Sequence, residues 1–219
     1  MISLNIRHWI NKKDKQFENI LLNCGWEWYA AAKGYEYSRK ILCGRWRKGE
    51  HLIVQSPYYA YLYAKNVMKN RWKEAEPLIV ESNSAYGYAR YVMKSPWEDA
   101  EKTIAKSFRD SYLYARYVLK DRFIKGERQI ERTLLKNGRN YYFNNEYVFK
   151  YAKYVIKGRY EKLEHCLSDS IYIKQYMEIL DEKGKEEFHN KVLMKSIEDY
   201  SKYYSNHAKL YIQSLSAQN

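Results

Sequence analysis

A chain of 219 residues that is 46% hydrophobic is long enough to bury a packed core, and its formal net charge of +13 points to an acidic partner. No run approaches the roughly 18 apolar residues of a membrane span, and Arg7, His8 and Lys12 break up the start as a secretory leader, so no membrane role is expected. With only 9 glycines and 3 prolines there is no flexible linker, and residues 1–219 read as a single domain.

Residues 1–34 read as an N-terminal cap. In it Phe17, Glu18, Ile20 and Leu21 echo the second helix of the repeat that follows, and Trp26, Trp28 and Tyr29 are expected to cap the stack. From residue 35 the chain repeats itself. A first-helix signature runs Tyr37-Ser38-Arg39-Lys40-Ile41, Tyr63-Ala64-Lys65-Asn66-Val67, Tyr88-Ala89-Arg90-Tyr91-Val92, Tyr114-Ala115-Arg116-Tyr117-Val118 and Tyr151-Ala152-Lys153-Tyr154-Val155. A second signature places an aromatic, a small residue, a glutamate and an aliphatic at steps of three, one and three. It reads Trp46, Gly49, Glu50, Ile53; Trp72, Ala75, Glu76, Ile79; and Trp97, Ala100, Glu101, Ile104. Looser copies are Phe123, Gly126, Glu127, Ile130 and Tyr160, Leu163, Glu164, Leu167. Steps of three and four put each set on one helical face, whereas a strand would alternate. Ser56-Pro57 and Ser95-Pro96 read as N-cap serines with proline in the first turn. Helices of about ten residues are marginal alone, so each hairpin must bury its apolar face on the next. The expected fold is all-α: an α-solenoid of short helix-turn-helix repeats, tetratricopeptide-like with a shorter period.

Residues 35–130 hold four regular repeats, and then the register breaks. The leading tyrosines are 26, 25 and 26 positions apart, but 37 separate Tyr114 from Tyr151. The insertion at 131–150 contains Asn137-Gly138 and Asn144-Asn145, which favour turns, so a protruding loop bearing Arg139, Tyr141, Tyr142 and Phe143 is one reading. A lengthened helix whose aromatics pack is the other. Residues 151–180 carry further repeats, with Tyr176 and Leu180 in the tyrosine and valine columns. Residues 181–219 read as C-terminal cap helices, at 185–196 and 199–215.

The wording Tyr-x-Tyr-Ala-x-x-Val-x-x-x-Arg-Trp-x-x-Ala-Glu, from Tyr61 to Glu76, resembles short tyrosine-bearing helical repeats of 25–26 residues found in uncharacterised proteins of tailed bacteriophages and large DNA viruses. The resemblance covers residues 35–167 and implies a viral protein acting in the host cytoplasm or packaged in a virion. It brings no catalytic residues with it.

Three columns are basic from repeat to repeat. Arg39, Lys65, Arg90, Arg116 and Lys153 form the first; Lys69, Lys94, Lys120 and Lys157 the second; Arg45, Arg71, Arg122 and Arg159 the third, interrupted by Pro96. Stacked at a helix spacing of about 10 Å, they would make lines of positive charge interleaved with some of the 25 tyrosines, a track for phosphates or carboxylates. Against that, the recurring glutamates Glu50, Glu76, Glu101, Glu127 and Glu164 are natural partners for the arginines. The lysines also suit a helix C-terminus. Pro96 shows that the glutamate does not depend on that arginine alone.

His8, His51, His165, His189 and His207 lack zinc-ligand spacing, and Cys24, Cys43 and Cys166 are odd in number and scattered, as reduced thiols of the cytoplasm would be. No phosphate loop or nucleophile signature stands out. The expectation is a non-enzymatic binding protein without cofactor. Its partner would be a macromolecule with an acidic surface, a host protein or ribonucleoprotein that it inhibits or adapts. Direct nucleic-acid binding and a structural virion role are the alternatives. Contacts are expected from the 139–143 loop and the first basic column.

Overall fold

The structure is a computed structural model that describes residues 15–137, 144–167 and 170–192. Among the described residues every regular element is helical. The chain divides into two compact units, Met1–Ile130 and Glu131–Asn219, at the point where the repeat wording loses register.

The first unit opens with α1 (15–22) and α2 (Glu27–Lys40), then α3 (Glu50–Ile53) entered through a 3-10 turn at Arg47–Gly49. Next come α4 (Pro57–Tyr63), α5 (Glu76–Ile79), α6 (Ala85–Tyr88), α7 (Glu101–Ile104) and α8 (Phe108–Tyr114). The helix α9 (Ile124–Asn137) runs to the insertion. The second unit holds α10 (Asn144–Tyr151), a 3-10 turn at Glu161–Cys166, α11 (Ser170–Met177) and α12 (182–192).

The second helices are shorter than ten residues: α3, α5 and α7 each have 4. They have little intrinsic stability and exist because their apolar faces are buried, with Ile53, Ile79 and Ile104 at most 2% exposed. The first helices are longer, because α4, α6, α8 and α10 each continue into a π-helical turn of 5 residues: Ala64–Met68, Ala89–Met93, Ala115–Leu119 and Ala152–Ile156. The alanine that opens each turn is fully buried, and its carbonyl accepts the N–H five residues on, as Ala89 accepts from Lys94 at 2.8 Å. In three turns it also accepts the next N–H: Asn70 to Ala64 at 3.3 Å, Asp121 to Ala115 at 3.2 Å and Gly158 to Ala152 at 3.2 Å.

The core is aromatic. Tyr63, Tyr88 and Tyr114 are wholly buried and pack on the aromatic of their own repeat, Trp72 at 5.1 Å, Trp97 at 5.2 Å and Phe123 at 5.0 Å between ring centroids. Burying a ring of that size stabilises by about 2–3 kcal/mol.

Several expectations change. Ser56 does precede α4 with Pro57 in the first turn, although its side chain makes no capping hydrogen bond. Ser95-Pro96 starts no α-helix; it lies in the link between a π turn and the 3-10 turn Glu98–Ala100. The serine that caps is Ser107, whose Oγ accepts the Asp110 N–H at 3.2 Å. Trp26 and Trp28 are 79% and 68% exposed, because Ala30, Ala31, Gly34 and Tyr37 take the buried side of α2, and Trp28 meets the Tyr59 ring of α4 edge-on at 6.2 Å. In α1, however, Leu21 is buried and Glu18 accepts from the Tyr37 hydroxyl at 3.2 Å, as a second-helix glutamate does. The α12 helix starts ahead of Gly184, with the Asp181 carboxylate accepting the Gly184 N–H at 2.8 Å. The second-helix segment after Phe123 lengthens to 14 residues, so helix occupies the first part of the insertion. The segment 138–143, and with it the loop residues Arg139, Tyr141, Tyr142 and Phe143, lies outside the described residues, as does 199–215.

Candidate functional site

The three basic columns have three different fates, decided by what each side chain can reach. The third is taken up internally. Arg45 grips Glu50 with two parallel hydrogen bonds of 2.9 and 3.0 Å, Arg71 grips Glu76 at 2.8 and 2.8 Å, and Arg122 grips Glu127 at 2.9 and 2.6 Å. In the second unit Arg159 holds Glu164 at 2.6 and 3.2 Å.

Glu50, Glu76 and Glu164 also serve the following repeat. Tyr63 donates its hydroxyl to Glu50 at 2.9 Å and accepts the Trp46 N–H at 2.7 Å. Tyr88 does the same for Glu76 and Trp72 at 2.9 and 2.7 Å, and Tyr176 for Glu164 and Tyr160 at 3.1 and 2.7 Å. Where Pro96 removes the arginine, Lys125 reaches Glu101 at 2.6 Å from the next repeat, and Tyr114 lies 3.4 Å from that carboxylate. Burial pushes the Tyr63 and Tyr114 hydroxyls up to about 12. The Arg71 hydrogen bonds hold the Glu76 carboxyl below its usual range. At Glu50 burial pulls upward, and the bonds from Arg45 and Tyr63 outweigh it.

The second column is a backbone feature. Lys69, Lys94, Lys120 and Lys157 end the four π turns in the left-handed region, with φ of 52, 57, 57 and 58°. Cys43 holds the same place after α2 with φ 50°.

The first column forms a ladder in the first unit. Lys65 lies 4.1 Å from the centroid of the Tyr91 ring, and Arg90 lies 4.8 Å from Tyr91 and 4.0 Å from Tyr117. Arg116 follows at 5.0 Å from Tyr117. Each cation is steadied from below by a buried tyrosine four residues earlier: Lys65 donates to the Tyr61 hydroxyl at 3.4 Å, Arg90 to Tyr86 at 2.6 Å, and Arg116 to Tyr112. Tyr91 and Tyr117 are 42% and 40% exposed, so the ladder faces solvent. Contacts of this kind are worth about 0.5–1 kcal/mol each at exposed sites, and they leave the positive charge uncancelled. Among the described residues neither Lys65 nor Arg90 pairs with a carboxylate.

Sequence reasoning placed five residues in this column, and the contacts join Lys65, Arg90 and Arg116. Arg39 is exposed outside the ladder, since neither Lys40 beside it nor Asn66 in the next repeat is the tyrosine on which the other cations stack. Lys153, in the second unit, sits 5.4 Å from Phe149 and 5.5 Å from Tyr154. Tyr91 and Tyr117 are the functional candidates that reasoning from columns missed. The signal was the tyrosine directly after the cation, at positions 91, 117 and 154 of three first-helix copies.

A cleft in the first unit is lined by Glu81, Ser82, Asn83, Thr103, Ser107 and Asp110, with no histidine or cysteine in its wall. Burial raises the Asp110 carboxyl above its ordinary range. Among the described residues no His, Cys, Asp and Glu side chains gather as a metal site requires, and no helix is long and apolar enough to cross a membrane. No protein-family model, no curated protein and no solved structure matches the chain.

Proposed function

We propose that this chain is a non-enzymatic binding protein, its repeats stacked as an α-solenoid, that docks on an acidic protein surface in the cytoplasm of a host cell as an inhibitor or adaptor. The observation that carries the reading is the Lys65–Tyr91–Arg90–Tyr117–Arg116 ladder: cations oriented by tyrosines whose rings, Tyr91 and Tyr117, are exposed, with Lys65 and Arg90 paired to no carboxylate among the described residues. Pre-ordered cations cost less side-chain entropy on binding than free ones. Half-exposed tyrosine beside arginine is also the composition of binding hot spots.

Tyrosine interleaving supports a second reading, direct binding of single-stranded nucleic acid. A base stacking on Tyr117, however, would compete with Arg90 at 4.0 Å and Arg116 at 5.0 Å. That favours recognition of carboxylates over base stacking.

A pull-down from host-cell lysate, with and without nuclease, tests the choice. A discrete protein that survives nuclease and is lost with an Arg90→Ala/Arg116→Ala chain is the expected result. Nucleic acid alone, cleared by nuclease, would select the second reading.

A further inference from the structure

The left-handed lysines are hard to explain by folding. At φ between 52 and 58° a Cβ is disfavoured, and glycine or asparagine is what normally ends a helix there. Yet all four π turns end in lysine, and the chain has glycine at hand, since Gly44 and Gly158 sit one residue beyond this position.

The helix dipole does not account for the choice. Each π turn already carries a basic residue, Lys65, Arg90, Arg116 or Lys153, in its last turn. Adding a second cation four positions on brings like charges together, which is mildly unfavourable on a helix. Nor does the turn itself require lysine, because Cys43 adopts the same φ after α2. Lys69, Lys94 and Lys120 are exposed, and none pairs with a carboxylate among the described residues.

We infer that Lys69, Lys94 and Lys120 are a second row of the binding surface, kept for their ammonium groups against the backbone's preference. The row takes an extended acidic polypeptide segment together with Lys65, Arg90 and Arg116. In the first unit successive π turns pack on one another, so the same turn position repeated three times makes a row beside the ladder. A flexible point charge suits a carboxylate whose position varies from one segment to the next, whereas the stacked arginines supply fixed ones. This inference rests on the acidic-protein reading above.

The test uses the full chain and a fluorescently labelled poly-L-glutamate fragment, with binding read by anisotropy at low salt and melting temperature measured alongside. Three proteins are compared: the parent, Lys69→Gly/Lys94→Gly/Lys120→Gly, and Arg90→Ala/Arg116→Ala. The expected result is at least tenfold weaker binding by the triple glycine chain, with a melting temperature equal to or above the parent's. Parent-like affinity in that chain, or a lower melting temperature, overturns the inference: the lysines would then serve nothing here or serve the turn. If the arginine variant loses binding and the glycine variant does not, the second row fails and the ladder stands. A parent that ignores poly-L-glutamate sinks both readings. A parent that prefers an oligothymidylate strand at the same salt moves the surface to nucleic acid and overturns the acidic-peptide assignment.

Discussion

At the scale of one residue, Tyr88 carries two tasks. Its ring fills the space against Trp97 and its hydroxyl joins the Trp72 N–H to Glu76. Tyr88→Phe keeps the ring and strands a buried N–H, so a loss of about 1–3 kcal/mol is expected in urea unfolding. Gly49 makes a separate prediction. A Cβ built there would lie 2.0 Å from the Trp46 ring, so Gly49→Ala should destabilise by about 1–3 kcal/mol through forced repacking. Ala75 and Ala100 hold the matching place beside Trp72 and Trp97, so an unchanged unfolding midpoint would mean that Trp46 can shift at no cost. The tyrosine, tryptophan and glutamate columns were all legible in the sequence, because steps of three and four need only a helix. The hydrogen bonds among them were not, since each links residues 12 to 17 apart across two repeats.

At the scale of an element, the π turn is the feature that periodicity misreads. Tyr63, Ala64 and Val67 satisfy an α-helical face, yet the helix widens from Ala64 onward and then reverses through a left-handed residue. Hydrophobic spacing records which side chains face inward and is silent about the sign of φ. Cys43 offers a clean check, being exposed and at φ 50°. Cys43→Gly relieves the backbone there, with a gain of up to about 1 kcal/mol expected by thermal unfolding. A lower melting temperature would show that this turn is set by its side chain. Lys125 makes the same point about reach. It pairs with Glu101 from 24 residues away, replacing an arginine that Pro96 has displaced.

For the whole molecule, the repeated tyrosine and glutamate groups predict the pH range of stability. Tyr63 and Tyr114 are pushed up to about 12 in the fold from an ordinary 10.0, first by burial. The fold therefore favours the neutral phenol: its contribution is complete below pH 10 and is lost as pH rises toward 12. Glu76 has the opposite sign. Its carboxyl is depressed from an ordinary 4.5, first by Arg71, so its contribution is present above that value and is lost as pH falls through the lower folded one. Helical circular dichroism during chemical unfolding should show a plateau between about pH 5 and pH 10 with a fall on both sides. A plateau that continues beyond pH 12 would mean that the buried hydroxyls do not hold their protons as the structure places them.

What the sequence determined by itself is the helical class of the described chain, the columns of its repeat and the aromatic residues of its core, because these depend on local periodicity and on burial of apolar surface. What only the tertiary structure decided is the fate of each positive charge. One row is spent on glutamates, one is held in a left-handed turn and one is stacked on exposed tyrosines. The three rows look alike as a list of lysines and arginines. The arginines and glutamates stand five residues apart in one repeat, a spacing the chain does record. The sign of φ at the lysines and the approach of Lys65 and Arg90 to a tyrosine of the next repeat are set by backbone geometry and by distances of a few ångströms that no spacing along the chain records.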